Sequence, residues 1–91
     1  MMSTHPVTER LRVYITEHFP AARSRHLDAG EPLLANGILD SLGVLDVVSF
    51  LEAEFQIVVM DEDLVPEHFE TLARLTVFVE SKKGVVARGS A

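Results

Sequence analysis

The amino-acid sequence predicts an all-α fold, a four-helix bundle with three main helices, one short helix and a long first loop. Three observations carry this. Apolar residues recur at helical spacing in three separate segments, and Pro, Gly and Asn mark the breaks between them. The one β-favouring run, Gln56-Ile57-Val58-Val59-Met60, has no second run to pair with, so its strand propensity should be overridden. At 91 residues the chain is the length of one small domain, placed at residues 1–84 with a flexible tail over 85–91. A chain this short buries little more than roughly 60% of its unfolded surface, so a deep, enclosed active site is not expected.

The first helix spans about Pro6 to Phe19. Val7, Leu11, Ile15 and Phe19 repeat every four residues with Tyr14 beside them, which gives one buried stripe. Thr4 suits the N-cap, Pro6 the first turn, and Pro20 ends the helix. From Ala21 to Asp40 the period is lost, and Gly30, Pro32, Asn36 and Gly37 punctuate a loop of about twenty residues. Leu27, Leu33, Leu34, Ile38 and Leu39 make it too apolar for disorder, so it should cross the core as an ordered segment.

The period returns from Ser41 to Phe55, with Val44, Val47, Val48, Leu51 and Phe55 on one face as core. The opposite stripe is Leu42, Asp46, Ser49 and Ala53, with Leu45 and Glu52 on one flank and Gly43, Phe50 and Glu54 on the other. Apolar and acidic residues side by side on an outward stripe suit docking. After residue 60 a turn leads to a short helical segment that Pro66 can open. Thr71 caps a last helix to about Lys83, in which Leu72, Leu75, Phe78 and Val79 are buried and Arg74 and Glu80 face out. Lys82 and Lys83 suit the negative end of its dipole, and Gly84 its C′ position.

The net charge of −6 hides a sharp asymmetry. From Leu27 to Ala73 there are eleven acidic side chains and no Lys or Arg, while the flanks sum to +5. Such a field repels phosphate backbones and anionic lipid heads and attracts basic protein surfaces. Nucleic-acid binding is therefore not expected, and partners should present basic surfaces. The apolar runs are a few residues long, against the about 20 that a membrane-spanning helix needs, so no membrane insertion is expected. Met1-Met2-Ser3-Thr4-His5-Pro6 shows neither the basic patch nor the apolar stretch of an export signal, and a cytoplasmic monomer is the expectation. With no cysteine, the chain has neither disulfide nor thiol nucleophile of its own.

The remaining chemistry is concentrated in Gly37-Ile38-Leu39-Asp40-Ser41-Leu42-Gly43, which puts a lone serine where loop meets helix. Taken alone, Asp40 or Ser41 is a helix N-cap, the commonest role of such residues. With its surroundings, the motif resembles the acyl carrier protein family, in particular the free-standing D-alanyl and peptidyl carriers, and the likeness covers most of the chain. Asp40-Ser41-Leu42 looks like the family's Asp-Ser-Leu attachment signature. Asp46, Glu52-Ala53-Glu54-Phe55 and Asp61 fall where the family has acidic residues and a core Phe, and Pro66-Glu67-His68-Phe69 resembles the short third helix of peptidyl carriers. Gly43 and Met60 depart from fatty-acid carriers, which commonly have an acid and a Pro there.

The resemblance implies a carrier-protein bundle in which Ser41 holds covalent 4′-phosphopantetheine taken from coenzyme A. The cargo would be a thioester-bound acyl or aminoacyl group: fatty acyl, D-alanyl, another amino acid or a polyketide. Implied partners are a phosphopantetheinyl transferase, an acyl- or aminoacyl-activating ligase and downstream acyl-transferring enzymes. Asp40, Leu42, Leu45, Asp46, Glu52, Glu54 and Asp61 would form the docking surface. A phosphodiester at the head of a helix is favoured by roughly 0.3–1 kcal/mol. Exposed ion pairs add only about 0.2–1 kcal/mol each, so docking should be weak and salt-sensitive. The carrier itself would not be an enzyme, because transferase and metal supply the chemistry of attachment. The alternative is an unmodified acidic interaction module of the same fold.

Other chemistry fits less well. Asp61-Glu62-Asp63 lacks the Gly and Glu that a calcium loop needs at its sixth and twelfth positions, and no metal is expected. His5, His18, His26 and His68 show no ligand spacing. Phe19, Phe55, Phe69 and Phe78 read as core, with Phe50 partly exposed. A capping serine without a nearby base has no route to hydrolase activity.

Overall fold

The computed structural model describes residues 5–23 and 26–89, with side chains through residue 83. The architecture is all-α. Its helices are α1 (Pro6–His18), α2 (Pro20–Arg23), α3 (Ser41–Phe55) and α4 (Leu72–Gly89), with 3₁₀ turns at Asp61–Asp63 and Pro66–Phe69 between the last two. No strand occurs among the described residues, and Gln56–Met60 runs without regular structure. A strand needs a partner to satisfy its backbone, and here side chains do it instead: Val59 N–H donates to Glu52 and Met60 N–H to Asp63.

The periodic stripes converge on one core. Val7, Leu11 and Ile15 from α1, Val47 and Leu51 from α3, and Leu72, Leu75, Phe78 and Val79 from α4 are all buried. Val44, Val48 and Phe55 are half-buried at its margin. Inside the α1–α4 contact, the Thr76 hydroxyl donates to the Leu72 carbonyl at 2.8 Å. Its one proton is thereby used, so the Thr8 hydroxyl donates to Thr76 Oγ1 at 2.6 Å, and neither buried oxygen is left unpaired.

From residue 26 onward the first connection packs into the core, as its leucines predict: Leu27, Leu33, Ile38 and Leu39 are buried and Leu34 is half-buried. It differs from the expected bare loop in containing α2. Pro20 both ends α1 and opens α2, because its fixed φ and missing N–H suit the first turn of a helix. Four residues are too few to show a period. The crossing is tied down by Ala73 N–H donating to the Ala29 carbonyl at 3.0 Å and Leu33 N–H to that of Glu70 at 2.7 Å.

Two terminal assignments change. The N-cap of α1 is His5, whose Nδ1 accepts from Val7 N–H at 3.1 Å; Thr4, the expected cap, lies outside the described residues. Thr71 does cap α4, accepting from Arg74 N–H at 3.0 Å, but α4 does not stop at Gly84 and its backbone continues to Gly89. A glycine inside a helix costs only about 1 kcal/mol relative to alanine, and no proline comes after it to remove a hydrogen bond. Most of the expected tail, 85–91, is therefore helical backbone, while its last two residues lie outside the described ones. The expected short helix opened by Pro66 is present, as a 3₁₀ helix over Pro66–Phe69.

Candidate functional site

Ser41 is the first residue of α3, a 15-residue helix, and it is exposed. Asp40 is the N-cap: its backbone is extended, and its Oδ1 accepts from Gly43 N–H at 2.7 Å. The Asp40 carbonyl takes the first helical bond, from Val44 N–H at 2.8 Å. The Ser41 and Leu42 amides at the same end make no hydrogen bond among the described residues. An oxygen substituent on Ser41 Oγ would thus sit at the positive end of the helix dipole, beside donors not otherwise used. The chain reaches this point through Gly37, whose φ of 75° is a left-handed conformation that glycine adopts without strain.

Ser41 also lies on the rim of a cleft of about 620 Å³. Val44 of α3 forms one side, Leu64, Val65 and Pro66 the other, and Leu39 and Phe69 lie deeper. No sequence pattern signals the cleft, because its two sides are twenty or more residues apart and nothing local couples them.

Of the expected docking residues, the two apolar ones, Leu42 and Leu45, are 73% and 52% exposed. Asp46, Glu52, Glu54 and Asp61 are also exposed, but they are not equivalent. Glu54 is paired with Arg10 of α1 and so is already partly neutralised. Glu52 accepts from Val59 N–H at 3.0 Å and ties the strand-like run back to the helix it belongs to. Asp46 and Asp61 form no ion pair among the described residues. Burial, and secondarily the Asp46 carboxylate, holds the Tyr14 hydroxyl above its ordinary value; that hydroxyl donates to the Asp46 carbonyl at 3.3 Å.

Gly43 is not on the outer flank where the helical projection puts it; it is buried. A Cβ there would stand 2.9 Å from Phe19 Cε1 and 3.2 Å from Asp40 Oδ1, so glycine is what lets the start of α3 approach the end of α1. Phe50, from the same flank, is half-buried and stacked on Tyr14 with ring centroids 4.1 Å apart. The four histidines are dispersed: His5 caps α1, His18 stacks on Tyr14, His68 lies against Phe78 and His26 is exposed.

Comparison with models of known protein families finds none that matches this chain, and comparison with curated proteins finds no significant match. Fold and site together define a small helical bundle with an exposed serine at the head of a helix, next to a mainly apolar cleft. No helix among the described residues is long and apolar enough to cross a membrane.

Proposed function

We propose that the chain is a carrier protein on which Ser41 Oγ takes a 4′-phosphopantetheine arm, and that it presents a thioester-bound acyl or aminoacyl group to partner enzymes. The observation that carries this is the setting of Ser41: exposed, first in a capped helix, with two amides beside it that make no hydrogen bond among the described residues, and exposed Leu42 and Leu45 after it. The residues present fit the group. Asp40 uses one carboxylate oxygen on Gly43 N–H, so it fixes the helix start without needing to move when Ser41 is modified. The arm would supply the thiol that a cysteine-free chain lacks.

Attachment requires Ser41 Oγ to displace 3′,5′-adenosine bisphosphate from coenzyme A, with the serine proton passing to a base. Among the described residues none of the histidines lines the cleft beside Ser41, so base and metal fall to a phosphopantetheinyl transferase. Asp46 and Asp61, which form no ion pair among the described residues, are the carboxylates best placed to meet its basic side chains, with Leu42 and Leu45 as the apolar contact. The same face would serve an activating ligase and the downstream enzymes. Incubation with coenzyme A and a broad-specificity transferase should give one adduct by intact mass, absent in Ser41→Ala. A folded, unmodified wild type after that incubation would favour the other reading, an acidic interaction module that is never modified.

A further inference from the structure

One wall of the cleft at Ser41 is not helical. Leu64, Val65 and Pro66 supply it, and they lie in the segment between α3 and α4 whose regular structure is two 3₁₀ turns. Both ends of this segment are anchored, since Ile57 and Phe69 are buried and the Glu70 carbonyl holds Leu33 N–H. Its middle is held differently. Asp63 N–H donates to the Met60 carbonyl, Leu64 N–H to that of Asp61 and Val65 N–H to that of Asp63. These local bonds fix the shape of the turn but not its position against the bundle.

Just before the turn, Glu52 of α3 holds Val59 N–H at 3.0 Å; from Met60 to Val65, position against the bundle depends on one polar contact among the described residues. Lys82 of α4 reaches Asp63 Oδ2 at 2.7 Å, and the same oxygen accepts Met60 N–H at 2.9 Å. The Lys82 and Asp63 side chains are only 20% and 18% exposed, so the pair is screened less by water than an ordinary surface pair. The Lys82 ammonium also lies 6.0 Å from the centre of the Phe78 ring, and Phe78 packs against His68 at the far end of the segment. Without the ammonium, the Asp63 carboxylate would be left partly buried beside a ring, and the turn would have to move outward to hydrate it. Asp63 immediately precedes Leu64, so that motion is transmitted directly to the wall.

We infer that the Asp63–Lys82 pair is a latch that holds the Leu64–Pro66 wall against α4 and so sets the width of the cleft at Ser41. A charged partner side chain that competes for either member would release the wall. The lowered titration of Asp63, caused first by the Lys82 hydrogen bond and then by that of Met60, agrees with a carboxylate held in this geometry. The regulatory meaning rests on the carrier reading of Ser41, whereas the latch is a property of the unmodified chain and is tested there.

The test compares wild type, Lys82→Met, Asp63→Asn and the charge-retaining Lys82→Arg without coenzyme A. Amide hydrogen exchange at Asp63, Leu64 and Val65 should accelerate about five- to tenfold in Lys82→Met, as expected of local opening when one half-buried pair is lost. Exchange at Val47 and Leu51 in α3 should not change. Binding of a neutral apolar fluorophore such as N-phenyl-1-naphthylamine should strengthen severalfold as Phe69 becomes accessible, and Lys82→Arg should restore both readouts. Acceleration spread evenly over the turn and α3 would make the pair a general stabiliser and overturn the latch, as would unchanged exchange at the turn. Either result leaves Ser41 modification untouched, and absence of an adduct on Ser41 would leave the latch standing.

Discussion

Where α1 meets α4, Val7, Leu11 and Ile15 on one helix and Leu72, Leu75 and Val79 on the other are all buried, and the two hydroxyls between them satisfy each other. Around Ser41, by contrast, Leu42 and Leu45 of the same helix and Leu64 across the cleft stay exposed. Both regions are rich in apolar residues, and the difference lies in what they cover. Exposed apolar area forgoes about 25 cal/mol per Å² of burial energy. A small chain can leave such residues outside only because the α1–α4 side supplies the stability. The two regions should therefore respond in opposite ways to substitution.

The largest contrast is in the dry region. Leu75→Ala should lower unfolding free energy by about 2–5 kcal/mol in chemical denaturation, because it leaves a cavity at a fully buried site. A loss under about 1 kcal/mol would mean that the α1–α4 contact is looser than described. Next is the junction between the regions. Gly43→Leu should cost about 1–3 kcal/mol by forcing Phe19 away from α3. Phe19→Ala should relieve much of that cost in the double variant, and strict additivity would show that the two positions do not touch.

Asp40→Ala should cost about 1 kcal/mol, the usual worth of an N-cap, with helix fraying confined to the start of α3. Asp63→Asn should cost up to about 1 kcal/mol near neutral pH, and its sign with pH is fixed by the direction of the shift. Contact with Lys82 first, then Met60 N–H and more weakly His68, lowers the folded Asp63 below its ordinary 3.8. The stabilisation is thus fully present above that value and is lost as pH falls through the lower folded one. The gap between wild type and Asp63→Asn should therefore be constant from about pH 5 to 7 and close in acid; a gap that widens in acid would contradict the assigned contacts.

The smallest effect on stability belongs to the exposed leucines. Leu42→Ala and Leu45→Ala should each change unfolding free energy by less than about 0.5 kcal/mol. If this face docks a transferase, each should nevertheless slow modification of Ser41 under subsaturating transferase, by a similar factor at low and high salt because no charge is removed. Unchanged rates in both would move docking elsewhere.

Much of the framework is legible along the chain because helix packing imposes a local period. Leu11 and Ile15, Val47 and Leu51, and Leu72, Leu75 and Val79 can be assigned to the core by spacing alone, and Asp40 can be read as a cap from its place before an apolar repeat. The misreadings share a cause. Gly43 reads as outward because a helical projection does not know that Phe19 lies over that face. Glu54 reads as free for a partner because Arg10 is distant in sequence. Gly84 reads as a helix stop because glycine is common just past a C-terminus, whereas the residues after it, Val85 to Arg88, contain no breaker and let the helical ladder run on.

Three long helices, an ordered first crossing and a serine at a helix head are written into the chain locally, since each rests on period, caps and turn residues within a few positions. Which carboxylates remain unpaired, that glycine is required where α1 meets α3, and that the segment before α4 walls a cleft beside Ser41 emerge only on packing. Those outcomes depend on distances between residues remote in sequence. No local pattern encodes such distances, because they are set by how the buried stripes fit against one another.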